Sequence, residues 1–155
     1  MPQRIFLVSL FFLPSSLFAQ GHIDHIKSQE YLKLAASANC NKPDEDNLTQ
    51  RICANVAFQK SDSLLTLIYN ELLKIANAGN NKSLKNKVVQ LQLTWRKFRD
   101  QHCSIVYDQY KDCGGCHAQA IAYLTCLKEM TDDRIKELEL LRETLVPKLV
   151  MKYDY

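Results

Sequence analysis

The residues with the clearest capacity for chemistry are Cys113-Gly114-Gly115-Cys116-His117. Two cysteines with two residues between them and followed by histidine form the pattern that attaches c-type haem, through two thioethers and a proximal imidazole. Met130 or Met151 would then supply the distal ligand. Read otherwise, the five residues make a disulfide across a glycine turn, with His117 opening the next helix. A metal or thiol-redox site is the third reading, since Cys113, Cys116, His117 and His102 offer the four nitrogen and sulfur ligands that zinc takes. Four further cysteines would complicate haem attachment, and no βαβ pattern accompanies the motif as it does in thioredoxin-like chains. The expectation is a disulfide turn, with no haem, metal or other cofactor.

No other spacing points to catalysis. The chain has no nucleophile elbow, phosphate-binding glycine loop or zincin motif, and no pair among its 17 acidic residues is singled out for acid/base work. An enzyme is not expected. His102 falls on an apolar stripe, where a packed or half-exposed side chain is the ordinary role. His22 and His25 read as surface residues. Trp95, the one tryptophan, fits a core face. Arg99 and Asp100 are adjacent and so leave the helix on different sides. Arg134 interrupts an apolar face and must either pair or stack on Trp95.

The compartment decides how the six cysteines are read. Arg4, the apolar run Ile5 to Leu13, the break at Pro14-Ser15-Ser16 and the small Ala19 form a secretory signal, with cleavage after Ala19. The run is much shorter than the ~20 residues of a membrane span, so no span is expected after cleavage; an uncleaved anchor is the alternative. Removing 19 of 155 residues leaves 136, one domain with a modest core. It also removes Arg4, taking the net charge from +3 to +2. That charge gives no case for nucleic acid, and stretches such as Asp132-Asp133-Arg134-Ile135-Lys136-Glu137 read as a solvated helix face. In an exported chain, Cys40, Cys53, Cys103, Cys113, Cys116 and Cys126 read as disulfides.

Helices must position these groups, because glycine and proline number only four each. A first helix is expected over His22 to Ala36, then a polar loop from Asn41 to Asn47 and a short helical stretch around Cys53. Ser61 or Asp62 can cap a helix with Leu64, Leu65, Ile68, Leu72 and Ile75 on its apolar side, and Gly79 suits its C-terminal turn. Ser83 can cap the next, where Leu84, Val88, Leu91, Trp95, Phe98, His102 and Ile105 recur at steps of three and four, running to about Lys111. The last is expected from His117 to Leu145, through Tyr123, Leu127, Met130, Arg134, Leu138 and Leu141, with Pro147 closing it.

If the two long helices form an antiparallel hairpin turning between Gly114 and Gly115, facing positions add to 114 plus 115, or 229. Cys113 with Cys116 and Cys103 with Cys126 both satisfy that sum. So do Leu91 with Leu138, Val88 with Leu141 and Leu84 with Leu145, while Trp95 falls opposite Arg134. The pairing is then Cys103–Cys126 and Cys113–Cys116, leaving Cys40–Cys53, one choice out of fifteen.

Gln92-x-x-Trp95-x-x-Phe98-Arg99-Asp100-x-x-Cys103 resembles the central signature of the LprI-like lysozyme inhibitor family. Cys40 and Ile52-Cys53 are similar to its opening cysteine pair, Asp62-x-x-Leu65-x-x-x-Tyr69 to the helix that follows, and Cys126-Leu127 with Thr131-x-x-Arg134-x-x-x-Leu138 to its close. The resemblance spans about Cys40 to Leu141. Gln50 and Thr66 depart from the family's usual Glu and Asn, and the Cys113/Cys116 pair is additional. The resemblance implies an exported helical domain that inhibits lysozyme in some members, and it transfers no contact residue. Gln92, Trp95, Phe98, Arg99, Asp100 and Arg134 are expected to be structural.

The reading is all-α: a small disulfide-stapled helical bundle with a long antiparallel helical hairpin, periplasmic or secreted. Its parts are a signal peptide (1–19), an N-terminal helical segment (20–39), an LprI-like domain (40–145) and a C-terminal tail (146–155). The expected partner is a protein, lysozyme or a related cell-wall hydrolase. Asp44, Glu45 and Asp46, held between Cys40 and Cys53, are the candidate contact residues. A haem electron-transfer protein and an envelope protein of structural or stress role are the alternatives.

Overall fold

The computed structural model describes residues 38–42, 46–78, 81–113 and 116–150, with side chains as far as Val146. The signal segment, the helix over 22–36, Asp44, Glu45, Gly79, Gly114, Gly115 and the tail beyond 150 lie outside the described residues. Within them the protein is all-α. Helix α1 spans Asn47–Ala78, α2 spans Lys82–Asp108, and α3 spans His117–Val150, with a 3-10 turn at Lys111–Cys113.

Three boundaries differ from the sequence expectation. The stretch around Cys53 and the helix after Ser61 are one 32-residue helix. Ser61 and Asp62 do not cap it; they sit mid-helix and reach to other helices. Nothing between Ile52 and Leu72 breaks a helix, and its inward positions Ile52, Asn55, Phe58, Ser61, Leu65, Ile68, Leu72 and Ala76 keep steps of three and four. Helix α2 is capped by Asn81, whose Oδ1 accepts from the Leu84 amide at 3.0 Å, and not by Ser83. Helix α3 runs through Pro147 to Val150. Proline deletes one backbone donor, and so near the end this does not terminate the helix.

The helices pack as an up-down-up bundle. Cys103 is bonded to Cys126, and the Trp95 ring meets Arg134, so α2 and α3 run antiparallel. Ser61 donates to Asp132, and Glu71 pairs with Arg142, so α1 and α3 run parallel with a constant offset of 71 positions. The core has two parts. One gathers Phe58, Cys103, Ala120, Tyr123, Leu124, Cys126 and Leu127 around the disulfide. The other gathers Leu65, Ile68, Leu72, Val88, Ile135 and Leu138. The remaining disulfides are Cys40–Cys53, which ties the preceding chain onto α1, and Cys113–Cys116, between the 3-10 turn and α3.

Candidate functional site

The inward face of α2 is not the expected stripe. Val88, Gln92, Arg99 and Cys103 are buried, while Leu91, Phe98, His102 and Ile105 are exposed. The helix is rotated by about one residue relative to its apolar pattern, which puts two polar signature residues inside. Cysteine contains the missed signal. Cys103 must face α3 to reach Cys126, and positions four, eleven and fifteen residues before it, Arg99, Gln92 and Val88, share its side of a helix.

Arg99 is the centre of this arrangement. Its guanidinium lies 5.5 Å from the Phe58 ring centroid and 5.1 Å from that of Trp95. Nη1 donates to Asp62 Oδ1 at 3.1 Å and to Thr131 Oγ1 at 3.2 Å, so one side chain links all three helices. Nε and Nη2 both donate to Asp100 Oδ1, at 3.0 and 2.9 Å. Arg99 and Asp100 therefore do meet, contrary to the expectation from adjacency, because the long arginine side chain curls back along its own helix.

Arg134 both stacks and pairs. It lies 5.5 Å from the Trp95 ring, its Nε donates to Gln92 Oε1 at 3.3 Å, and its Nη1 bonds Glu137 at 2.7 Å. Two guanidinium groups thus share one half-buried indole, which substitutes a π face for part of their lost hydration. Arg134→Met is expected to lower stability by about 1–2 kcal/mol, because Gln92 Oε1 loses its donor in a buried site. Urea unfolding measures this; an unchanged melt together with lost partner binding would move Arg134 to a contact surface.

Of the three acidic loop candidates, Asp46 is described. Its Oδ1 accepts from the Leu48 and Thr49 amides at 2.9 and 3.1 Å and its Oδ2 from the Thr49 hydroxyl at 2.8 Å. It is the N-cap of α1. The Thr49 amide, then the Thr49 hydroxyl, hold the carboxyl below its ordinary range. A depressed folded-state value means the cap stabilises above the unfolded carboxylate value of about 4 and is lost as pH falls through the folded one. Asp46→Ala should therefore lower the melting midpoint by a few degrees at pH 7 and by almost nothing near pH 2, while Asp46→Asn, itself a good cap, should change little at pH 7. Equal losses at both pH values would exclude the carboxylate as the cause.

The open surface lies at the same end of the bundle. A hollow of about 570 Å³ is lined by residues of all three helices, including Gln50, His102, Val106, Tyr110, Ile121 and Glu129. A smaller hollow of about 220 Å³ joins Cys40, Lys42, Thr49, Gln50 and Cys53. Gln50 lines both, so the two hollows adjoin at that residue. Phe98, expected to be structural, is 57% exposed and its ring stands 5.9 Å from that of His102 on the rim. Ile105, 63% exposed, lies one turn further along. Phe98 and Ile105 thus stand exposed beside a hollow built from all three helices, and sequence periodicity concealed them by assigning them to the core.

Among the described residues no group of three or more His, Cys, Asp or Glu side chains could hold a metal ion. Nor is any described helix long and apolar enough to cross a membrane. The sulfurs of Cys113 and Cys116 are bonded to each other. A search of curated proteins and of solved structures finds no match. One family model, described as lysozyme inhibitor LprI, matches residues 40–138, from the first cysteine through the buried Leu138. Covering well over half of the sequence and every residue of the Arg99–Trp95–Arg134 stack, that match establishes that the chain belongs to the LprI lysozyme inhibitor family.

Proposed function

We propose that the protein is an exported inhibitor that blocks lysozyme or a related cell-wall hydrolase by occlusion, in the periplasm or outside the cell. The family match over residues 40–138 carries the reading. The first 19 residues support export, and the disulfide-bonded cysteines suit an oxidising compartment. Inhibition of this kind needs a preorganised surface and no chemistry.

The contact residues of this reading are Asp44, Glu45 and Asp46 in the segment between Cys40 and Cys53, together with the hollow lined by Gln50, His102 and Tyr110 and the exposed Phe98 and Ile105. A tight inhibitor covers roughly 800 Å² per partner, more than a seven-residue loop presents alone. Many lysozymes are strongly basic and this chain is itself slightly basic, so shape and local acidity supply the affinity, and long-range attraction does not.

The test titrates purified oxidised protein against a basic lysozyme degrading cell wall, at low and at physiological salt. Inhibition at micromolar protein is expected under both, and its absence under both removes the reading. Asp44→Asn with Glu45→Gln, which leaves the Asp46 cap intact, should weaken inhibition by roughly tenfold if the loop makes a buried charged contact. Phe98→Ala should weaken it similarly with little change in melting. Inhibition untouched by all three substitutions keeps the function and moves the contact face elsewhere.

A further inference from the structure

We infer that Cys113–Cys116 is a thiol–disulfide exchange site, a bond that a dithiol reductant opens and closes while the bundle stays folded. The first support is redundancy. Cys103–Cys126 already ties α2 to α3, ten positions inward of Cys113 on one strand of the hairpin and ten inward of Cys116 on the other. The outer bond spans a sequence separation of 3, against 13 for Cys40–Cys53 and 23 for Cys103–Cys126. It therefore adds the least constraint to the chain, and its loss leaves both cores and the Arg99 links intact.

Accessibility separates the bonds further. Cys113 is exposed and Cys116 half-buried, whereas Cys103 is fully buried and Cys126 is 9% exposed. An attacking thiolate reaches the outer bond in the folded protein and reaches the inner one only after the helices part. Cys40 is also exposed, so the comparison with Cys40–Cys53 rests on the leaving group. Cys116 is the N-cap of α3, its carbonyl accepting from the Ala120 amide at 3.4 Å. The unpaired amides of a helix start favour a thiolate there. Cys53 lies in the second turn of α1, where the amides are already used. Next to Cys116, the Nδ1 atom of His117 has no hydrogen-bond partner among the described residues, leaving one imidazole nitrogen uncommitted beside the pair.

The exchange balances without further reactants. A thiolate of the dithiol attacks Cys113 Sγ. The Cys113–Cys116 bond breaks, its electron pair leaves on Cys116 Sγ, and a mixed disulfide forms at Cys113. The second thiol of the reductant, deprotonated, attacks its own partner sulfur and releases Cys113. Two electrons pass from dithiol to protein, the reductant becomes a disulfide, and its two protons end on Cys113 and Cys116.

The experiment treats the full oxidised protein with dithiothreitol in native buffer, quenches by alkylation at intervals, and maps the modified cysteines by peptide mass. Cys113 and Cys116 should be alkylated at least about fivefold faster than the other four, as expected for an accessible bond with a stabilised leaving thiolate. The helical circular dichroism should stay constant while they react, and oxidised dithiothreitol should restore the bond. Opening of all three bonds together, earlier opening of Cys40–Cys53, or loss of helical signal as Cys113 and Cys116 react would each overturn the inference. A Cys113→Ala/Cys116→Ala protein supplies the second check. It should form the other two bonds and keep its helical signal, and failure to do either would show that the outer bond is a structural requirement.

Discussion

Replacing Arg99 by Met is expected to cost about 3 kcal/mol of folding stability, the low end of the range for removing one member of a buried ion pair. The side chain is only 6% exposed, but its carboxylate partners Asp62 and Asp100 are 33% and 43% exposed. Water can therefore reclaim much of their charge, which keeps the loss from reaching the top of the range. What water cannot restore is the link itself. Without the guanidinium, Thr131 loses a donor in a fully buried position, and the Phe58 and Trp95 rings lose the cation between them. In a domain of this size such a loss should lower the melting midpoint by more than about 10 °C. Arg99→Lys should recover only part of it, because an ammonium cannot fork between Asp62, Thr131 and Asp100. If Arg99→Met melted within a degree or two of the parent, the three-helix junction would not be what holds the bundle in register.

Removing the inner disulfide should cost a similar amount by another route. Cys103 and Cys126 close a loop with a sequence separation of 23, worth about 3 kcal/mol in the chain-entropy model. Their sulfurs also fill the core cluster beside Phe58, Tyr123 and Leu124, so Cys103→Ala/Cys126→Ala loses packing as well as constraint. Urea unfolding should show it as the least stable of the three double-alanine proteins. A larger loss in Cys113→Ala/Cys116→Ala would contradict both this ranking and the redundancy of the outer bond.

The architecture was legible because several signals agreed. Scarce glycine and proline, long runs at steps of three and four, and two cysteine pairs sharing one constant sum all specified a helical hairpin. The Cα atoms of Cys103 and Cys126 stand 5.7 Å apart. Trp95 and Arg134, placed opposite one another by the same sum, are in ring contact. The register failed in detail where polarity and burial diverge. Leu91, matched to Leu138, is 46% exposed, and Gln92 beside it is 3% exposed. An apolar count cannot anticipate that a protein will bury Gln92, Arg99 and Arg134 around one indole, since each becomes tolerable only through partners on other helices. Asp46 was singled out by charge, and its hydrogen bonds give it a role that charge alone did not signal, as the cap of α1. The exposed rim of Phe98 and Ile105 was hidden by the same reasoning that found the helix.

The parallel alignment of α1 with α3 governs the order in which this chain can fold. Bonds between α2 and α3 span 23 positions at Cys103–Cys126 and 42 at Gln92–Arg134, whereas the α1–α3 bonds Ser61–Asp132 and Glu71–Arg142 span 71. A chain emerging from its N-terminus at ~5–20 residues per second presents the Phe58, Leu65, Ile68 and Leu72 face of α1 for about 4–14 seconds before α3 exists to cover it. During that interval the apolar face is open to chaperones, to membranes and to other nascent copies. Loop-closure entropy makes the docking of α1 onto α3 the late step, whereas its Asp62–Arg99 link to α2 spans only 37 positions. The helix made first is thus the one completed last, and substitutions along its inward face should alter yield during biogenesis more than they alter the speed of hairpin formation.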